Sequence, residues 1–191
     1  MVELAQSEFI LGGQRSGKSR RAETLARQWL DASPDHRALL IATAQAWDGE
    51  MRERIARHQQ DRAERVPGMV TVEESVALGD ALRRGSDAQT LVVIDCLTLW
   101  LTHLTMPLDP ADALDEAGVM AATESLCAAI AEARGPVVLV GNEIGLGVIP
   151  LGREVRQFVD ALGRLNQAVA ARCERVTFMA AGLALTLKDA P

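Results

Sequence analysis

Cysteine is scarce in this chain of 191 residues. Cys96, Cys127 and Cys173 are odd in number, widely separated and form no C-x-x-C pair, which argues against a disulfide framework or a thiolate zinc site and fits a reducing cytoplasm. An excess of positive charge is missing too: 20 Lys and Arg against 26 Asp and Glu leave a formal charge of −6. General nucleic-acid binders use a basic surface to displace counterions, so no nucleic-acid partner is expected, and small molecules are. The segment 1–8 has neither the basic stretch nor the apolar core of a signal peptide, and no apolar run approaches membrane-spanning length, so a soluble protein is expected. Internal repeats and low-complexity linkers are absent. What is present, 48% hydrophobic and 24% charged residues, is globular composition at a length that suits one α/β domain over 1–191.

The chain is organised around Gly12-Gly13-Gln14-Arg15-Ser16-Gly17-Lys18-Ser19. Gly, four residues, then Gly-Lys-Ser is the pattern of a phosphate-binding loop: glycines let the backbone curl, successive amide N–H groups point inward, and a helix N-terminus adds partial positive charge. Lys18 is expected to reach the β- and γ-phosphates of a nucleoside triphosphate, and the Ser19 hydroxyl to sit on Mg²⁺. The apolar run Phe9-Ile10-Leu11 before the loop and the helical pattern of 19–31 after it supply the strand-loop-helix context. On that helix Ala22, Leu25, Ala26 and Trp29 share one face.

Further strands are expected at Leu39–Ala42, Val70–Glu73, Leu91–Asp95 and Val137–Val140, each a short run of buried-strand residues. The Leu39 strand delivers Thr43, Ala44 and Gln45 to the edge that carries the loop, either as ligand contacts or as a plain connector. Leu91–Asp95 looks like a Walker B strand, with Asp95 holding Mg²⁺ or else capping the next helix. Between them, Asp48 is a candidate N-cap for a helix on which Met51, Ile55, His58 and Arg62 fall at i, i+4, i+7 and i+11, placing the imidazole on the inward face. Arginines 52, 54, 57, 62 and 65 outnumber Glu53, Asp61 and Glu64 there, an excess able to attract phosphates. From spacing alone His58 is either a packed histidine or a catalyst.

Helices are expected over 75–84, from Cys96 to Leu104 and from Met120 to Ala133, while Met106–Pro110 breaks the pattern and Ala111–Gly118 is acidic and hard to read. Gly141–Pro150 is a glycine-bearing loop at the ligand edge, a cover or a connector. Leu151, Val155, Phe158, Leu162, Leu165 and Val169 mark one long amphipathic helix over 151–173, and 175–179 with 183–187 form a terminal strand pair around Gly182.

These pieces together resemble the bifunctional adenosylcobinamide kinase / adenosylcobinamide-phosphate guanylyltransferase family over nearly the full length. The likeness rests on the glycine loop, on Ile41-Ala42-Thr43-Ala44-Gln45, on Asp48-Gly49-Glu50-Met51 followed by Arg54-Ile55-Ala56-Arg57-His58, on Gly141–Pro150 and on Arg164-Leu165-Asn166-Gln167. The resemblance implies that His58 accepts GMP from GTP and passes it to the phosphorylated corrinoid. It also implies GTP contacts at Thr43, Ala44 and Gln45, at Gln59, Gln60, Asp61 and Arg62, at Glu73 (or its neighbour Glu74) and at Asp95, and a homo-oligomer in the form of a ring of three subunits. The segment 102–119 departs most from the family pattern.

The expected fold is α/β, P-loop NTPase-like (RecA-like), a mostly parallel sheet with helices on both faces. The expected function is phosphorylation of adenosylcobinamide with ATP or GTP, then GMP transfer from GTP to the new phosphate with release of pyrophosphate. Lys18 neutralises the transferring phosphoryl group and His58 is the nucleophile. Two other functions fit the bare residues: a simple small-metabolite kinase with a structural His58, and a nucleotide-dependent switch whose loop 141–150 orders on binding.

Overall fold

The computed structural model describes residues 4–45 and 49–189; the candidate N-cap Asp48 lies outside them, as do the side chains of Glu50, Met51 and Arg54. Seven strands form one sheet: β1 (Ser7–Gly12), β2 (Arg37–Ala42), β3 (Met69–Glu73), β4 (Thr90–Asp95), β5 (Val137–Val140), β6 (Arg175–Ala180) and β7 (Leu183–Asp189). Their order is β3-β2-β4-β5-β1-β6-β7. Each neighbouring pair is parallel except β6 with β7, which are antiparallel. The β6–β7 connection carries positive φ at both Ala181 and Gly182, the backbone that a two-residue hairpin needs to match strand twist.

Helices α1 (Lys18–Ala32), α2 (Gly49–Arg65), α3 (Leu78–Gly85), α4 (Leu97–Thr105), α5 (Glu116–Glu132) and α6 (Arg153–Arg172) cover the sheet. Side chains alternate along the strands, so each strand feeds two cores. Phe9, Leu11, Val92, Ile94, Val137 and Leu139 pack with α3 to α6. Ile10, Leu40, Leu91, Val93, Val138 and Val140 face the other way, against Ala22, Leu25 and Ala26 of α1 and Val66 just beyond α2. A buried carboxylate ties α1 to the strands beneath it: Glu8, 1% exposed, accepts from Arg21 Nε at 2.7 Å and from the Thr177 hydroxyl at 2.8 Å.

Three helix starts differ from the sequence expectation by two residues or more, each for a local reason. Helix α3 begins at Leu78 instead of 75, because the Glu74 carboxylate accepts from the amides of Val76 and Ala77 at 2.9 Å and holds a turn there. Helix α5 begins at Glu116, ahead of Met120: Asp115 caps it through Gly118 N at 2.8 Å, after a 3₁₀ turn at Pro110–Asp112. Helix α6 begins at Arg153, and Leu151 and Val155, expected on its apolar face, are 97% and 54% exposed. Arg156 turns back to the carbonyls of Pro150 and Leu151 instead.

Candidate active site

Six parallel strands present their C-terminal ends at one edge, where α/β sheets bind ligands. Strand β1 leads straight into the glycine loop, and Gly17, at φ 103°, ends that loop in a left-handed conformation that initiates α1. The Lys18 side chain is 8% exposed. Its ammonium folds back over the loop to donate to the Gly13 carbonyl at 2.6 Å. Burial pulls Lys18 below its ordinary pKa, opposed by the nearby Cys96 and Asp95. That environment marks a cation held in a partly dry cradle beside the acid that ends β4, the pairing a triphosphate with its counter-cation would fit between.

The loop is gripped from behind by the far edge of the sheet. Gly12 and Met179 are register partners, a Cβ on Gly12 would stand 2.3 Å from the Met179 carbonyl oxygen, and Gly182 N donates to the Ser16 carbonyl at 3.0 Å. The first glycine of the loop is therefore required by the strand behind it.

Asp95 is half-buried at the end of β4 and Ser19 half-buried at the start of α1. Among the described residues no group of three or more His, Cys, Asp or Glu side chains is placed to hold a metal by itself. One carboxylate and one hydroxyl suit Mg²⁺, which keeps several waters and takes further oxygens from substrate phosphates.

The β2 end separates its three residues by environment. Thr43 is fully buried, with its hydroxyl donating to the Cys96 carbonyl and accepting from Cys96 N, both at 2.8 Å. Its main chain accepts from the His103 imidazole, whose pKa burial lowers. The Thr43 side chain thus welds β2 to the turn after β4, and the exposed group at this end is Gln45, which donates to the Ser75 hydroxyl at 2.6 Å. Glu73 is exposed at the end of β3, whereas Glu74 is occupied by its own turn.

The inward orientation expected for His58 is corrected: His58, Gln59 and Gln60 are exposed on α2, and Asp61 and Arg62 are half-buried. The physical reason is the helix's polarity. Ile55 is only half-buried, so among the described side chains no apolar stripe seats α2; the helix is anchored at its far end by buried Val66 and by Arg65, which bonds Glu23 of α1 at 3.0 Å. Arg62 Nε is buried with no hydrogen-bond partner among the described residues. A guanidinium N–H in that state suits an anionic oxygen.

One cluster was not singled out as chemistry by sequence. After β5, Gly141 N donates to Ile10 O at 3.0 Å and Glu143 N to Gly12 O at 3.1 Å, so the chain continues beside the glycine loop. Asn166 of α6, 5% exposed, donates to the Asn142 carbonyl at 3.1 Å and reaches Glu143 Oε2 at 3.4 Å. Thr98 accepts from Asn142 N at 2.9 Å. The available signal was an asparagine set between Leu162, Leu165 and Val169 on a buried helical face.

Comparison with known proteins bears on the fold and on the family. The flagellar accessory protein FlaH from Methanocaldococcus jannaschii superposes with a TM-score of 0.55 at 12% identity, covering 98% of this chain and 80% of that one, a likeness of fold. The bifunctional adenosylcobalamin biosynthesis protein CobP of Pseudomonas aeruginosa is 48% identical over 96% of this chain and 98% of its own length. The bifunctional adenosylcobalamin biosynthesis protein CobU of Escherichia coli is 36% identical over 94% and 98%. The family described as cobinamide kinase / cobinamide phosphate guanyltransferase matches residues 8–187, and with relatives this similar over nearly their whole length the chain belongs to that family.

Proposed function

We propose that this protein, acting as one domain, phosphorylates the aminopropanol hydroxyl of adenosylcobinamide with ATP or GTP, and then transfers GMP from GTP through His58 to that phosphate. The products are adenosylcobinamide-GDP and pyrophosphate. The observation that carries the first half is the buried Lys18 ammonium, folded over a phosphate loop and placed beside Asp95. When bound, Mg²⁺ held by Ser19 and Asp95 would neutralise charge on the phosphates. The loop amides and Lys18 orient the triphosphate, and phosphoryl transfer is then largely positioning and charge stabilisation.

The second half rests on α2. An exposed histidine stands on an arginine-rich helix that starts from the β2 side of the ligand edge, with the unpartnered Arg62 Nε one turn further on. His58 would attack the α-phosphorus of GTP: an N–P bond forms and the P–O bond to pyrophosphate breaks. A phosphate oxygen of the acceptor then attacks the same phosphorus, the N–P bond breaks, and the imidazole is restored. Gln59, Gln60, Asp61 and Glu73 are placed in this reading around the same nucleotide. Because His58 faces outward in a single chain, we assign the complete site to a homo-oligomer, a trimer in this family's pattern. Exposed Leu183, Leu185 and Leu187 on the edge strand β7 are apolar surface for such contacts. Light scattering at the monomer mass would count against the assembly. Among the described residues no helix is long and apolar enough to cross a membrane, and a cytoplasmic setting suits the nucleotide substrates.

The test uses GTP labelled at the α-phosphate. Wild-type protein should retain an acid-labile, base-stable label, as a phosphoramidate does. His58→Ala should lose the label and the guanylyl transfer while keeping kinase activity. A His58→Ala protein that still forms the adduct and still makes the GDP-linked product would refute the role of His58.

A further inference from the structure

The kinase step needs an acceptor for the hydroxyl proton, and neither Lys18 nor a metal-facing Asp95 supplies one. Among the described residues four carboxylates stand at C-terminal strand ends on the ligand edge: Glu73 at the end of β3 with Glu74 next to it, Asp95 at β4 and Glu143 just after β5. The strand order is β3-β2-β4-β5-β1, so of these β5 alone adjoins the strand that carries the phosphate loop. Residues 141–143 prolong that adjacency past the sheet, since Glu143 N bonds Gly12 O, next to the Gly13 carbonyl that holds Lys18.

The Glu143 side chain is also held. Oε1 accepts from Gly145 N at 2.8 Å, and Oε2 faces Asn166 Nδ2 at 3.4 Å. Asn166 is itself buried and fixed to the Asn142 carbonyl. A carboxylate offers about four lone-pair positions, and these contacts use two, one of them long. Ile144, Leu146, Val148 and Ile149 stand exposed directly after it, an apolar rim suited to a large acceptor with a hydrophobic body.

We propose that Glu143 is the general base of the phosphoryl transfer, a further catalytic residue that touches the acceptor hydroxyl. This rests on the kinase reading above. In the step, the hydroxyl oxygen bonds to the γ-phosphorus, the bond from that phosphorus to the β–γ bridging oxygen breaks, and the nucleoside diphosphate leaves. The hydroxyl proton passes to the Glu143 carboxylate and then to solvent.

Glu143→Gln preserves size and the bond from Gly145 N and removes the basic group. General-base removal typically costs about 10²–10⁴ in rate. We expect kcat for phosphorylation of adenosylcobinamide to fall at least about a hundredfold. KM for the acceptor, nucleotide affinity and guanylyl transfer to an already phosphorylated acceptor should stay within about threefold of wild type. Glu143→Asp, a carboxylate set back by one methylene, should recover part of the lost rate. Retention of kcat to within tenfold in Glu143→Gln overturns the assignment. So does a parallel fall of nucleotide affinity and both activities, which would make Glu143 a loop scaffold. A wild-type protein unable to phosphorylate the acceptor defeats the underlying kinase reading instead, and the two failures are told apart by that control.

Discussion

Gly12→Ala separates two reasons for a glycine at the head of a phosphate loop: close approach of phosphate, or close approach of the strand behind. The added methyl would stand 2.3 Å from the Met179 carbonyl oxygen and 2.7 Å from Ser16 Oγ. The first is backbone of β6, and it would have to retreat by about 1 Å to restore an ordinary contact. Overpacking of this kind costs about 1–3 kcal/mol. The φ of 152° at Gly12 adds about 1–3 kcal/mol for an alanine in a sparsely populated region. Together about 2–6 kcal/mol of a typical 5–15 kcal/mol corresponds to a fall in Tm on the order of 5–20 °C for a chain of this size. Gly13→Ala is the matched control, because nothing lies within 4 Å of its Cβ. Thermal unfolding followed by circular dichroism, paired with equilibrium binding of a non-hydrolysable GTP analogue, reads the outcome. If the loop yields instead of β6, Tm is spared and affinity falls more than tenfold. A Gly12→Ala protein within about 1 °C in Tm and threefold in affinity of Gly13→Ala would refute the reasoning.

Lys18→Ala should abolish nucleotide binding without lowering thermal stability, since burial disfavours the ammonium in the native state and its removal relieves that penalty; a large drop in Tm would contradict this. The buried thiols predict alkaline sensitivity. Burial pushes Cys96 from 9.0 up to about 11 and Cys173 up to about 12. A thiol whose folded pKa is raised supports stability fully below its unfolded value and loses that support as pH rises toward the folded one. Denaturant titrations should therefore show stability falling above pH 9.0, by up to about 1.4 kcal/mol per pH unit for each thiol, and flattening in Cys96→Ser.

Runs such as Leu91–Asp95 and Val137–Val140 were legible as strands because a parallel sheet buries both faces and leaves no polar alternation to confuse. The glycine loop was legible because its chemistry is local. The orientation of His58 was not legible because four positions at helical spacing define a face only if buried apolar groups occupy it, and Ile55, among the described side chains, is only half-buried. The starts of α3 and α5 depend on single carboxylates, Glu74 and Asp115, bonding nearby amides, which residue type permits without dictating. Thr43 as a weld, Asn166 as a clamp and Met179 as the floor beneath Gly12 join segments far apart in sequence. No local pattern announces such partners.

The grip of β6 and the hairpin on the phosphate loop has a consequence for synthesis. Residues 12–19 are translated well before Met179 and Gly182, which press on Gly12 and bond the Ser16 carbonyl. Long-range contacts of this kind close late. A nascent chain stalled before β6 would therefore carry the loop's sequence without its shape, and nucleotide capture would wait for β6.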